Sequence, residues 1–279
     1  MQELNIIKVK NEKEFKEYAK IRHDVFTIEK NVPVDIEVDE YDTLNSVCDH
    51  FLIAYNHQNI GAIRIMKEKD HIRFQRFCIL NEYRKLGIGR KIVSYIEEYY
   101  KNRNIYHIVM DAKYEVYPFY EKCGYHCVSD KFIEANIPHI KMEKDLLEVK
   151  TYDDLPQEAI DIRTEIFMKE QGFQDEFDDR DHQCTHLVVF DNDKAIATCR
   201  YFYENGQYIL GRIAVIKEYR GKKIGTYIVH KVCQYIGKGE MILHAQLQAQ
   251  LFYKKLGFQA YGDIEYEEHC PHTWMKKVM

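Results

Sequence analysis

Two stretches of the chain place apolar residues on one side of a helix. After residue 87 they fall at Ile88, Ile92, Val93, Ile96 and Tyr99; after residue 223 at Ile224, Ile228, Val229, Val232, Tyr235 and Ile236. Spacings of three and four residues predict an amphipathic helix in each place. Each series follows a short apolar run of strand length, Phe77–Leu80 and Ile213–Ile216, and a basic glycine-bearing turn. The two strand-turn-helix segments superimpose at one constant offset. Arg76 then falls on Arg212, Glu82 on Glu218, Arg84 on Arg220 and Gly89 on Gly225.

The repeat covers more than this segment. Ile21-Arg22 with Val25-Phe26 matches Ile162-Arg163 with Ile166-Phe167. His50 and Arg64 match His186 and Arg200. Phe119-Tyr120 with Gly124 matches Phe252-Tyr253 with Gly257, and Pro138-His139 with Met142 matches Pro271-His272 with Met275. The offset drifts between these landmarks, as insertions and deletions in loops require. A repeat spanning half of 279 residues is a duplicated domain and far too long for a solenoid unit. The expected domains are 1–145 and 146–279, joined without a Gly/Ser-rich or Pro-rich linker.

Composition limits the function classes. A hydrophobic content of 46% supplies a core for each half, and a net charge of −5 argues against a general nucleic-acid binder. No apolar run reaches membrane-spanning length and the N-terminus lacks a signal-peptide core, so a cytoplasmic protein is expected. The eight cysteines read as reduced thiols. Cys123 with Cys127, and His269-Cys270 with His272, fall short of a convincing zinc ligand set, so no metal is expected.

A helix that starts at a glycine turn exposes its first N–H groups, and these with the positive end of the helix dipole suit an anion. Glycine allows unusual backbone angles and close approach of a phosphate. The spacing does not fit a Walker A loop, and two glycines are too few for the dinucleotide fingerprint. The plain alternative is a turn whose glycines only shape the connection.

At this point the residues resemble a family. Arg-x-x-Gly-x-Gly at 84–89 looks like the acyl-CoA pyrophosphate loop of the GNAT acetyltransferase superfamily. Phe119–Tyr125 and Phe252–Phe258 resemble its later helix, and the Ile-Arg-x-x-Val/Ile-Phe openings and Pro-His-x-x-Met closings resemble its ElaA-like branch. The resemblance runs through the whole chain, twice. It implies two tandem α/β (α+β) domains, each a mixed, mostly antiparallel sheet of six or seven strands with helices on both faces. It further implies acetyl-CoA as acyl donor, lying where two central strands splay. Backbone groups around Cys78-Ile79 and Ala214-Val215 would hold the pantetheine. Arg84, Lys85, Leu86, Gly87, Ile88, Gly89 and Arg90 would hold the pyrophosphate in the first copy. Arg220, Gly221, Lys222, Lys223, Ile224, Gly225 and Thr226 would do so in the second. Each charge-assisted bond contributes about 1.5–3 kcal/mol, so several amides together outweigh any one side chain.

Transfer to an amine needs a proton for the departing thiolate. Tyr120 and Tyr253 stand at the family position for that donor, with a buried structural tyrosine as the alternative. Many family members place a basic glutamate where this chain has Arg76 and Arg212. Glu134 with His139, and Glu267 with His272, are substitute bases; the alternative is a structural Pro-His turn. Carboxylates recur at Glu37, Asp39 and Asp42 and at Glu176, Asp178 and Asp181, either to attract a cationic amine or as solvated loop. Lys223 takes the place of Gly87, which favours the first copy as the working site; Lys113 and Gln246 stand where the family often has an asparagine. The expected activity is N-acetyl transfer to a small-molecule or peptide amine, without nucleic acid or membrane partners. The alternative is a CoA-binding sensor or scaffold without turnover.

Overall fold

The computed structural model describes residues 3–279. The chain divides into two compact units that meet in sequence at Leu146 and Leu147. In the first unit the order is β1 (Leu4–Lys8), α1 (Glu12–Arg22), a π-helical continuation (His23–Glu29), α2 (Val34–Glu37), β2 (Cys48–Tyr55), β3 (Gln58–Lys67), β4 (Ile72–Ile79), α3 (Ile88–Lys101), β5 (His107–Lys113), α4 (Tyr117–Glu121), β6 (His126–Cys127), β7 (Phe132–Glu134) and β8 (Ile137–Asp145). The second unit repeats the plan. It runs β9 (Glu148–Tyr152), α5 (Gln157–Arg163), a π-helical continuation (Thr164–Glu170), β10 (Thr185–Asp191), β11 (Lys194–Glu204), β12 (Gln207–Val215), α6 (Ile224–Ile236), β13 (Glu240–Gln246), α7 (Gln250–Lys255), β14 (Gln259–Glu267) and β15 (Cys270–Val278).

Local chemistry sets the joins. Asn56-His57 and Asn205-Gly206 both hold positive φ and close the hairpins β2–β3 and β11–β12. That pairing of left-handed residues is what a two-residue hairpin turn with native twist requires. Asn11 caps α1 by accepting from the Glu14 amide at 3.0 Å, which satisfies one of the helix's orphan donors.

Alternation along the strands puts helices on both faces. Phe51, Ile53, Ile63, Ile65 and Phe74 pack with Ile88, Ile92, Val93 and Ile96 of α3. Leu52, Ala62 and Cys78 point the other way, onto Tyr18, Ile21 and Val25. In the second unit Ile162 and Ile166 cover Ala214, and Ala159 covers Val188 and Phe190. Each fully buried aliphatic side chain contributes about 1.5–3 kcal/mol.

The first sheet runs β1-β2-β3-β4-β5-β8-β6 with β7 also on β8; the second runs β14-β15-β13-β12-β11-β10-β9. Eight strands in the first exceed the expected six or seven. The reason lies at its outer edge, where Ser129 Oγ accepts from the Lys141 amide in place of a strand partner. That break divides into β6 and β7 what is one long strand, β14, in the second sheet.

Candidate functional site

The cleft begins where parallel strands separate. β4 and β5 pair only from Ile72–Phe74 to Ile108–Met110, and β12 and β13 only at Tyr208 and Ile209. On its other side β4 stays paired to β3 as far as Ile79, and β12 to β11 as far as Val215. Beyond those pairs the inner edge of each central strand, through Cys78-Ile79 and Ala214-Val215, has no neighbouring strand. Buried backbone groups demand partners, so the edge suits an extended, amide-bearing ligand.

A bulge precedes each open edge. The register slips between Ala62 and Arg64, and again between Thr198 and Arg200, and both slips coincide with a left-handed arginine: Arg76 at φ 50 and Arg212 at φ 52. A bulge re-aims the side chain it carries. Arg76 donates through Nε to the Glu37 carbonyl and through Nη2 to the Ile36 carbonyl, both at 3.0 Å; Arg212 donates through Nε to the Glu176 carbonyl at 3.2 Å. The residues standing in for the family's glutamate therefore fasten a loop over the sheet.

The glycine loops share one backbone. Both use two left-handed positions: Lys85 (φ 63) and Gly87 (φ 76) in the first, Gly221 (φ 75) and Lys223 (φ 58) in the second. Each copy fills one position with glycine and the other with lysine, in opposite order, so both bear the strain of one left-handed lysine, roughly 1–2 kcal/mol. Neither α3 nor α6 has a side-chain cap. The amides of Lys85, Leu86 and Gly87, and of Gly221 and Lys223, form no backbone hydrogen bond; Lys222 donates weakly to Tyr219 at 3.4 Å. Those of Ile88, Gly89 and Arg90, and of Ile224, Gly225 and Thr226, open their helices and have no partner within them. The third position must be small: a Cβ on Gly89 or Gly225 would stand 3.2 Å from the ring of Phe119 or Phe252.

Arg84 and Arg220 belong to the loop's support. Arg84 binds both oxygens of Glu29 at 2.6 Å and donates from Nε to the Ile79 carbonyl, while its amide goes to Asn81. Arg220 does the same with Glu170 (2.6 and 2.8 Å), Val215 and Lys217. Their donors are spent on the end of the π-helical segment.

Tyr120 and Tyr253 are buried at 8% and 9% exposure, and burial raises both phenols well above the ordinary tyrosine range. Neither hydroxyl has a protein partner, yet neither is among the fully sealed unpaired atoms. Each is a protonated donor without a partner among the described residues.

The histidines share one tautomer. His139 Nδ1 lies 2.9 Å from the Ile137 carbonyl and His272 Nδ1 lies 3.0 Å from that of Cys270. A carbonyl only accepts, so Nδ1 carries the proton and Nε2 of the neutral ring is the acceptor. The carboxylates differ. Glu267 Oε2 stands 3.7 Å from His272 Nε2, whereas Glu134 is exposed and no ion pair joins it to His139. Glu267 also takes His244 Nδ1 at 2.7 Å, and His244 stacks on Trp274 with ring centroids 4.5 Å apart. The sequence pattern missed His244 because its counterpart in the first sheet is Asp111, a residue paired to Arg73 at 2.6 Å.

The early-loop carboxylates do not face an acceptor, contrary to one expectation. Arg22, 2% exposed, donates from Nε to Glu37 Oε1 at 2.6 Å and reaches Asp42; Arg64, 1% exposed, grips both oxygens of Asp39 at 2.5 and 2.7 Å. The second unit repeats this with Arg163 on Glu176 (2.7 Å) and Asp181 (2.6 Å) and Arg200 on Asp178 (2.7 Å). With Arg76 and Arg212, each unit gathers three guanidinium groups and three carboxylates, of which Arg22, Arg64 and Glu37, and Arg163, Arg200, Glu176 and Asp181, are buried. Buried charges must be paired, and this turned the acidic loop inward.

The model of the acetyltransferase (GNAT) domain family matches residues 37–146 and again residues 151–279. The chain belongs to the GNAT acetyltransferase family. Among relatives, it is 36% identical over 143 residues to YyaT of Bacillus subtilis, covering 51% of this chain and 97% of that protein. It is 32% identical over 137 residues to YjcF of the same organism, named as an uncharacterized N-acetyltransferase, covering 49% and 96%. Two crystal structures are also similar. One, from Lactobacillus plantarum, is 28% identical, covers 51% of this chain and 98% of its own, and has a TM-score of 0.48. The other, Escherichia coli ElaA, is 22% identical, covers 47% and 99%, and has a TM-score of 0.43. The two matches of the family model mean that the chain carries two GNAT domains in tandem; YyaT and YjcF each span about half of it.

Proposed function

We propose that this protein transfers an acetyl group from acetyl-CoA to an amine, using a CoA site in each domain. One observation carries the reading. In both copies a strand edge without partners runs into a loop of unpaired amides that opens an uncapped helix. The edge would hold the pantetheine amides and the loop the pyrophosphate.

The residues then divide the chemistry. Tyr120 or Tyr253 gives its proton to the departing sulfur. Burial makes the phenol a weaker acid, but the same dry surroundings raise the proton affinity of a thiolate, as they do for Cys78, pushed up to about 12. His139 or His272 accepts the proton released by the amine through Nε2. Glu267 Oε2 stands 3.7 Å from His272 Nε2, whereas no carboxylate pairs with His139 among the described residues. Lys223 adopts the left-handed backbone of Gly87, which supports a second loop that still presents its amides. The alternative, a sensor without turnover, rests on Arg76 and Arg212 and on the Lys223 loop; the arginines' contacts with the early loop give them a structural role beside it.

Calorimetry with CoA tests this. The expected stoichiometry is two per chain, falling to one in Gly87→Trp. A Gly87→Trp protein that binds two CoA with unchanged affinity would remove the first loop from the site. Thiol release across a panel of amines tests transfer itself.

A further inference from the structure

One pair of positions distinguishes the acceptor sides of the two domains. In the second, Gln171 follows the π-helical segment and Gln246 ends β13, and Gln246 Nε2 donates to Gln171 Oε1 at 2.7 Å. The same places in the first domain hold Lys30 and Lys113. Two contacts fix the equivalence. Glu29 and Glu170, one residue earlier, take the matching Arg84 and Arg220, and Lys113 and Gln246 are the register partners of His139 and His272.

A satisfied amide pair is thus replaced by two ammonium groups that repel each other. Among the described residues a carboxylate pairs with only one of the two, Lys30. Glu29 lies 3.4 Å from Lys30, but both its oxygens are held by Arg84 at 2.6 Å. Lys113 has no ion-pair partner among the described residues; its Nζ lies 5.9 Å from the centroid of the Phe26 ring. Arg76, fixed by the carbonyls of Ile36 and Glu37, adds a third positive charge. Burial pushes the Lys113 ammonium below the ordinary lysine range; Glu115 opposes the fall, and Lys30 and Arg76 add to it. Lys113, half-buried and without an ion-pair partner among the described residues, would be relieved by an anion from outside, with the exposed Lys30 beside it as a second donor.

We propose that Lys30 and Lys113 form a site for one anionic group, carboxylate or phosphate, of the acceptor used by the first domain. The Gln171–Gln246 bond closes the same place in the second domain. The two domains then take different amines: the first an amine that also bears an anion, the second one that does not. The word acceptor rests on the acetyl-transfer reading; the anion site itself does not.

Two arms separate these. In the first, the lysines of the full chain are methylated with 13C, which keeps their charge, and the protein is saturated with CoA so that the phosphate loops are filled. Inorganic phosphate, succinate and, at equal ionic strength, chloride are titrated in. Resonances are assigned with Lys30→Gln and Lys113→Gln. Saturable movement of the Lys113 signal by phosphate or by succinate, weakened about tenfold in Lys30→Gln, is expected, and the anion that acts identifies the source. No movement, or the same movement with chloride, overturns the site. In the second arm, thiol release is compared for phenylalanine against phenethylamine and for phosphoethanolamine against ethanolamine, in Tyr253→Phe protein so that the first domain is read. The anionic member of at least one pair should be preferred about tenfold in kcat/KM, with the preference collapsing toward one when Lys30→Gln and Lys113→Gln are added. Turnover without preference sinks the proposal alone. An anion response without turnover of any amine sinks the transfer reading and leaves the anion site standing.

Discussion

Arg22→Ala in the first domain tests the buried charge network. Arg22 supplies the Glu37 carboxylate at 2.6 Å, the Glu37 carbonyl at 2.8 Å, Asp42, and the Tyr18 hydroxyl at 2.9 Å. Asp42 keeps Arg64 at 3.0 Å, but the carboxylate of Glu37, a residue 4% exposed, loses its one hydrogen-bonded cation among the described residues. Removing one member of a buried ion pair costs about 3–5 kcal/mol, a large part of a domain's usual stability of roughly 5–15 kcal/mol. At about 1.36 kcal/mol per tenfold, β3 amides that exchange through unfolding of the first domain should exchange two to three and a half powers of ten faster. Hydrogen exchange by mass spectrometry reads this in the full chain, with β11, whose domain keeps the intact Arg163 network, as the internal reference. Replacing both partners, Arg22→Met with Glu37→Leu, should restore most of the loss, because no charge is then stranded. A cost below about 1 kcal/mol in Arg22→Ala, or a double variant as unstable as the single, would refute the reasoning.

Tyr120→Phe should lower first-domain turnover by about 10²–10⁴-fold, read in Tyr253→Phe protein, with CoA affinity unchanged within about twofold. Since the Tyr120 hydroxyl has no protein partner, stability should not fall with it; unchanged turnover would show that Tyr120 is not the acid. Acid should weaken the second domain in a defined window. At Asp181 burial opposes ionisation, but hydrogen bonds from Arg163 and Arg200 outweigh it and hold the carboxyl at about 2, against an ordinary 3.8. A lowered folded pKa means the stabilisation is complete above about pH 4 and is lost as pH falls toward 2, about 2 kcal/mol for this group. Asp178 shifts the same way through Arg200, while Glu176 shifts upward because burial dominates there, offsetting part of the loss. The urea midpoint, followed from pH 6 to pH 2.5, should drop over this range; a flat midpoint would contradict it.

Periodicity and repetition carried much of the fold. The spacing of Ile88, Ile92, Val93 and Ile96 and the match of Arg76 with Arg212 were legible because both lie within single elements, where neighbours in sequence are neighbours in space. The acidic loop was misjudged for the opposite reason. Glu37, Asp39 and Asp42 look like solvated surface until Arg22 and Arg64, on a helix and a strand, are folded beneath them. That Lys223 and Lys85 each hold one left-handed position of their loop could not be read from the sequence, because backbone angles are not written in residue type.

By itself, then, the sequence determined that one domain is written twice, that each copy has a strand, a glycine loop and a helix in series, and that tyrosine and histidine recur at matching places. Those are statements about order and spacing, which the chain carries in one dimension. Only the tertiary structure decided which side chains meet. Sheet register puts His272 beside Gln246 and His139 beside Lys113, and the turn of the π-helical segment brings Gln171 onto Gln246. Contacts between distant residues depend on register, bulges and the direction in which a side chain is aimed, and none of these is written at the position of the residue itself.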